Sequence, residues 1–278
     1  MKKFYEFKNI TPSNADLFIY GAIVSEHDDW FGSDSDVSLT DFKEEIDSLG
    51  NIKTLNIFIN SPGGDVFAAS TMISLLQRLK AKGTKLISYV DGLSASAASF
   101  LMMVADEIKL YKNSIVMIHK PMSFSYGNAN EMQKTIDTLN KIEDSVMIPM
   151  YMNKSKVSED EIRNIIDAES WLNANEMAEK FNVTLLDEEK TAVASVSSNL
   201  FKNYKNIPDF IKNSLENEEK GQEIEENAEK SEEIVENEEK EPISTENQSK
   251  EEEIKARLSL INISLKLKTL EEGEDKNE

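Results

Sequence analysis

Cysteine is absent from the 278 residues, so neither a disulfide nor a thiolate metal site is available, which suits a reducing compartment. Histidine occurs only at His27 and His119, too sparse for a histidine-built metal centre, and no metal or other cofactor is expected. Long apolar runs are also missing: nothing approaches the roughly 18 residues a bilayer span requires. The opening MKKFYEFKNITPSN carries lysines but no signal-peptide core. A cytoplasmic chain with no membrane partner is the expectation. Positive charge is scarce too, with 31 Lys and Arg against 52 Asp and Glu, a formal net charge of -21. Phosphate affinity rests on clustered cations, so nucleic acid is excluded as a partner.

What is present divides unevenly along the chain. Apolar residues make up 39%, enough to fill a core in a chain of this length. From Glu216 to Glu253, however, 17 Glu face 4 Lys, a net -13 in 38 residues with a single proline. Such a segment cannot bury enough apolar surface to order itself and reads as a disordered, low-complexity tail. It holds a weak echo of E-N-x-E-K at 216, 226 and 236, too short and irregular for a solenoid. Beyond it, IKARLSLINISLKLKTL is apolar again, at helical spacing in Ile254, Leu258, Ile261 and Leu265 and at strand spacing in Ile263, Leu265 and Leu267. The expected organisation is a domain over 1–190, a linker over 191–215, the acidic tail over 216–253, and a docking or scaffold-like element over 254–278.

Within the first part, DLFIYGAIV (16–24) and LNIFIN (55–60) read as strands. SPGG follows, then a helix from Val66 striped by Met72, Ile73, Leu76 and Leu79 and ended by Gly83. KLISYVDG and ASAASFLMMVAD repeat the order of strand, glycine turn and helix, and EIKLY and SIVMIH supply two more strands. Such alternation predicts an α/β fold with parallel pairing through right-handed crossovers. A helix over 129–153, striped by Met132, Ile136, Leu139, Ile142 and Val146, would run about 35 Å at 1.5 Å per residue and reach toward a partner. Ser158 with Glu161 three residues on marks another helix start, and a helix near 174–181 and a closing strand complete the domain.

Ser94, Ser96 and Ser99 in DGLSASAASFLMM sit where a strand passes into a helix, the place where unpaired N–H groups and the helix dipole favour negative charge. Either one of them is a nucleophile or all three are small residues that permit close packing. A serine nucleophile needs a general base. His27 lies in a polar acidic loop, whereas His119 ends an apolar strand. SPGGD lacks the G-K-[ST] ending of a P-loop and places Asp65 where phosphate would be repelled.

N-S-P-G-G at 60–64, G-L-S-A-S-A-A-S-F-L at 92–101 and M-I-H-K-P at 117–121 occur in that order. Together, over roughly residues 15–188, they resemble the ClpP family of serine peptidases, particularly the ClpP-like head maturation (prohead) proteases of phages and prophages. The resemblance implies a ClpP/crotonase-like core of repeated β-β-α and βαβ units with a projecting handle helix, here 129–153, through which two rings of a homo-oligomer meet. It implies Ser96 as nucleophile, His119 as base, and Gly64 and Ala97 as donors of the oxyanion hole, leaving Ser94 and Ser99 as packing residues. E-S-W-L-N-A-N-E-M puts Glu169 in the place of the third, acidic member, with Asp167 in reserve.

The implied activity is peptide-bond hydrolysis, with phage capsid or scaffold proteins as substrates and partners. The acidic extension and the loop 27–42 depart from the housekeeping pattern and leave docking to a Clp ATPase unplaced. The alternatives are a housekeeping-type Clp proteolytic subunit working with an ATP-dependent unfoldase, a non-catalytic scaffold subunit, and a crotonase-like CoA-binding enzyme.

Overall fold

A computed structural model describes residues 3–24, 39–188, 199–209 and 211–213. Expectations about His27, the tail over 216–253 and the segment over 254–278 lie outside the described residues, as does most of the loop 27–42.

The alternation of strands and helices produces one sheet. Strands β1 (Tyr5–Lys8), β2 (Asn14–Tyr20), β3 (Thr54–Ser61), β4 (Lys85–Ala95), β5 (Glu107–Leu110) and β8 (Thr184–Leu185) lie side by side in that order. From β2 to β8 all neighbours are parallel, as the crossovers predict, while β1 folds back antiparallel on β2. The β2 and β3 faces that bury Leu17 and Ile19, and Leu55, Ile57 and Ile59, form the centre of the core. Among the described residues, no helix is long and apolar enough to cross a membrane.

The feature that makes the site is a fork in β4. Its first half, Ile87–Val90, pairs with β5. Gly92, at φ +149°, redirects the chain, and Leu93–Ala95 then pair with β6 (Ile115–Ile118). On its other side β6 carries β7 (Ser170–Asn173), antiparallel, a strand with no counterpart in the sequence reading. A bulge in β3 leaves Asn60 out of the ladder with β4, although it still pairs with Tyr20 of β2, and on the β4 side its side chain is used instead, Oδ1 accepting from Leu93 N–H at 3.2 Å.

Helix α1 (Leu39–Ser48) was not anticipated; it buries Phe42 and Ile46. Helix α2 (Val66–Ala81) starts at Asp65, whose carboxylate accepts from Ala68 N–H at 2.7 Å, so this acid is an N-cap. Helix α3 (Ala97–Met102) is short and wholly buried. The long helix foreseen over 129–153 is three consecutive pieces: α4 (Ala129–Ile142), a π turn over Glu143–Met147, and α5 (Ile148–Met152). Met147, Ile148 and Tyr151 anchor its second half, whereas α4 buries none of its side chains and exposes Met132 and Ile136. Helices α6 (Glu159–Asp167) and α7 (Ala174–Lys180) follow, capped by Ser158 and by an Asn173–Glu176 capping box.

The stretch expected to act as a linker differs where it is described. Residues 199–203 form a 3-10 turn, and Leu200, Phe201 and Tyr204 are buried against Leu93, Ala95 and Met117 at the fork. The surrounding Lys and Asn residues give the segment its polar look, yet three apolar side chains within five positions suffice to dock one turn.

Candidate active site

The fork sets the geometry. Because Ala95 pairs with Met117, Ser96 leaves the end of β4 level with the end of β6, and Ser96 N–H donates to Met117 O at 2.9 Å. Two residues beyond Met117 the chain reaches His119. Ser96 Oγ and His119 Nε2 stand 2.7 Å apart. In the tautomer that leaves Nε2 bare, the serine donates to the imidazole.

Ser96 adopts φ +51° and ψ -124°, a conformation that L-residues rarely hold. The left-handed turn at the strand-to-helix junction keeps its hydroxyl off the helix cap, since Ser96 makes no side-chain capping bond to α3. Its carbonyl is held by Ser99, through N–H at 2.9 Å and Oγ at 2.7 Å, and Ser99 Oγ also meets the buried Tyr151 hydroxyl at 2.6 Å. Ser94 Oγ is buried without a hydrogen-bond partner among the described residues. Of the three serines, only Ser96 bonds to the histidine.

Two backbone donors belong to the same neighbourhood: Gly64 lines one cleft with Ser96 and His119, and Ala97 follows Ser96 directly in the chain. Ile23 N–H donates to Gly63 O at 2.7 Å and Asp65 N–H to Ile23 O at 2.8 Å. This bridge turns the N–H of the residue between, Gly64, to the opposite side, and it makes no hydrogen bond among the described residues. Gly64 has φ +143°, and a Cβ there would fall 2.0 Å from Ile23 O, so only glycine fits. Ala97 opens α3, and its N–H precedes the first intrahelical bond. A cleft of ≈ 260 Å³ opens beside these groups, walled on its apolar side by Val66, Phe100, Met122, Phe124 and Met147.

His119 is 7% exposed. Burial pulls its imidazole from the ordinary 6.5 down to about 4, opposed by the charge of Glu169. Glu169 sits in the turn between α6 and β7 at φ +48° and is nearly buried. Among the described residues it forms neither a hydrogen bond nor an ion pair with His119. Its Oε1 instead accepts main-chain N–H from Lys205 at 2.6 Å and from Asn206 at 2.7 Å. Asp167, the reserve candidate, is largely exposed and pairs with Lys120 at 2.5 Å. The structure thus brings together Ser96, His119, Gly64 and Ala97, places Glu169 within electrostatic reach, and leaves Asp167 on the surface.

Sequence reasoning missed Tyr204, Lys205 and Asn206. Tyr204 lines the cleft, its ring stands edge-on to His119 at 5.2 Å, and its hydroxyl donates to Pro62 O at 2.6 Å. A lone tyrosine in a Lys- and Asn-rich stretch carries no signal of such a place. No group of three or more metal-ligating side chains occurs among the described residues. A hydroxyl on a neutral imidazole beside two unpaired N–H groups can form an alkoxide and hold a developing oxyanion, which is the chemistry of acyl transfer.

Residues 45–182 match the Clp protease family. The chain is 29% identical over 136 residues to the ATP-dependent Clp protease proteolytic subunit 2 of Treponema denticola, an overlap covering 48% of this chain and 66% of that protein. It is 29% identical to the ATP-dependent Clp protease proteolytic subunit of Bacteroides fragilis, with 48% and 64% covered. To the proteolytic subunit of the same name from Chara vulgaris it is 30% identical over 147 residues, with 52% and 65% covered. It spans just under two thirds of the length of these curated relatives.

Proposed function

We propose that this chain, whose residues 45–182 match the Clp protease family, is a serine endopeptidase with Ser96 as nucleophile, His119 as base and Glu169 as the acid. The observation that carries this reading is the 2.7 Å contact of Ser96 Oγ with His119 Nε2 beside the N–H groups of Gly64 and Ala97. A neutral imidazole at pH 7 is the form a base requires, and burial keeps it so.

His119 Nε2 takes the Ser96 proton as Oγ attacks the peptide carbonyl carbon. The carbonyl oxygen becomes an oxyanion held by Gly64 and Ala97. The imidazolium, favoured by the Glu169 charge, returns its proton to the departing amine. Water then repeats the sequence on the acyl-enzyme, releasing the acid and restoring Ser96.

Protein or peptide substrates enter the apolar cleft. The exposed Met132 and Ile136 of α4 suit a homo-oligomeric ring assembly in which this helix is the handle. For the biological role, head maturation of phage capsid or scaffold proteins is the reading favoured by the acidic tail over 216–253, which looks like scaffold material joined to a protease. The second reading, a proteolytic subunit serving an ATP-dependent unfoldase, is favoured by the names of the relatives.

The test is labelling of the full chain with a fluorophosphonate probe and mapping of the modified residue. Modification at Ser96, abolished in Ser96→Ala without loss of fold, is expected. Modification confined to another residue, or an unchanged yield in Ser96→Ala, refutes the assignment. Cleavage of co-expressed capsid or scaffold protein without ATP, against degradation that depends on an added Clp ATPase, separates the two roles.

A further inference from the structure

We propose that Tyr204 is a positioning residue, the centre of a clasp over residues 199–206 that holds the base, the acid and the oxyanion turn in register. The proposal rests on the peptidase reading above and adds to it a segment beyond residues 45–182, the stretch that matches the family.

Three contacts carry it. The Tyr204 ring packs edge-on against His119 at 5.2 Å and against Trp171 of β7 at 6.1 Å, closing one side of the imidazole. The Tyr204 hydroxyl donates to Pro62 O at 2.6 Å, and Pro62 immediately precedes the Gly63–Gly64 turn, whose Gly64 lines the same cleft as Ser96. The next two residues donate their main-chain N–H groups to Glu169 Oε1. Three consecutive residues therefore touch three separate parts of the site, which the fold brings in from β3, β6 and the turn after α6. Leu200 and Phe201 anchor the clasp against Leu93, Ala95 and Met117 on the same fork that presents Ser96. A surface strap would need no such bonds. A plug would fill the cleft, whereas here Ser96 and His119 still line open space.

The clasp also accounts for the solvent exclusion around His119. The titratable groups facing the imidazole are Glu169, from the turn after α6, and Tyr204 itself. The neighbouring Lys120 is directed to Asp167 and Glu143. Burial likewise raises the Tyr204 phenol above its ordinary range, an effect the Ser96 hydroxyl beside it partly offsets.

The test compares the full chain with Tyr204→Phe and Tyr204→Ala by two readouts. The first is the rate of fluorophosphonate labelling at Ser96. The second is the NMR titration of the His119 imidazole, with His27 as internal reference, which needs no catalysis. Tyr204→Phe keeps the ring and loses the Pro62 tether; labelling should slow about five- to tenfold, the scale of one buried neutral hydrogen bond, with the His119 titration unmoved. Tyr204→Ala should slow labelling about a hundredfold, as expected of a site displaced by an ångström, and raise the His119 titration toward 6.5. Faster labelling in either variant would show a plug, and labelling and titration both equal to wild type would show a bystander; each overturns the proposal. Should wild type fail to label at all, the peptidase reading falls, and the titration of Tyr204→Ala still decides whether the clasp encloses His119. Should Tyr204→Ala fail to fold, Tyr204→Phe decides alone.

Discussion

Replacing Gly63 by alanine tests whether the glycine turn and the Ser96 turn form one rigid unit. Gly63 has φ +96°, and a Cβ there would lie 2.6 Å from Ala95 O, 2.6 Å from Ser96 Cβ and 3.0 Å from Ala97 N. Ordinary contact begins near 3.4 Å, so something must move by several tenths of an ångström. Ala95 cannot yield easily, because it is fully buried and paired with Met117. Ser96 is already held at positive φ. The conformational cost of an L-residue at such φ is about 1–2 kcal/mol, and overpacking in a rigid site adds about 1–3 kcal/mol.

Gly83 separates the two contributions, since it has nearly the same φ, +98°, with nothing within 4 Å of its would-be Cβ. Gly83→Ala should therefore cost about 1–2 kcal/mol in urea unfolding, and Gly63→Ala about 2–5 kcal/mol. Any Gly63→Ala protein that still folds should label at Ser96 at least about a hundredfold more slowly, because the relief of the clash moves Ser96, whereas Gly83→Ala should label like wild type. Equal costs for the two substitutions, with normal labelling in both, would refute the rigid-unit reasoning.

Two further outcomes follow from the site. His119 is held at about 4 in the folded chain against 6.5 when unfolded, so the unfolded state takes up the proton first as pH falls. Its stability contribution is complete above pH 6.5 and is lost progressively down to about 4, a total of about 3 kcal/mol; the difference between wild-type and His119→Gln denaturation curves should show that slope and be flat from pH 7 to 8. The two candidate acids should separate in labelling assays: Asp167→Asn, at an exposed pair with Lys120, should leave the rate within about twofold, while Glu169→Gln should slow it at least about tenfold. A larger effect at Asp167 would reverse the assignment.

The parts of the molecule legible in its sequence are those written in local pattern. Helix α2 announces itself by a full apolar stripe between Asp65 and Gly83, and β3 by strict alternation of Leu55, Ile57 and Ile59. The strand-end positions left Ser96 and His119 as candidates among others, and the family motifs around them singled them out; the parallel register between the second half of β4 and β6 brings the two side chains together. What stayed hidden depends on partners distant in sequence. Strand β7 looks like a turn because only four residues, Ser170–Asn173, pair with β6. The π turn in the long helix is invisible because the stretch through Glu143–Met147 keeps a helical spacing of apolar residues while its hydrogen bonds shift by one. Tyr204 reads as linker because its bonds go to Pro62, 142 residues away.

The burial of the proposed base poses a problem that the rest of the site answers. An imidazole held at about 4 is neutral at physiological pH, but the same burial that keeps it neutral penalises the imidazolium that the proposed mechanism forms when Ser96 gives up its proton. Taken alone, the burial would cost the transition state roughly as much as it costs His119 protonation, about 3 kcal/mol. Two negative charges offset it. One is permanent, the Glu169 carboxylate, which opposes the downward shift even though no hydrogen bond joins it to the ring. The other would exist only during the proposed reaction, as the oxyanion forms between Gly64 and Ala97 beside the new cation. A charge that appears only in the transition state stabilises only the transition state, so the dry surroundings of His119 strengthen that attraction when it is needed. Removing the Glu169 charge should therefore slow the step that forms the imidazolium more than it weakens binding of a peptide, and steady-state kinetics of Glu169→Gln should show a fall in kcat with KM nearly unchanged. A rise in KM at constant kcat would place Glu169 in substrate binding and leave the imidazolium without its permanent counter-charge.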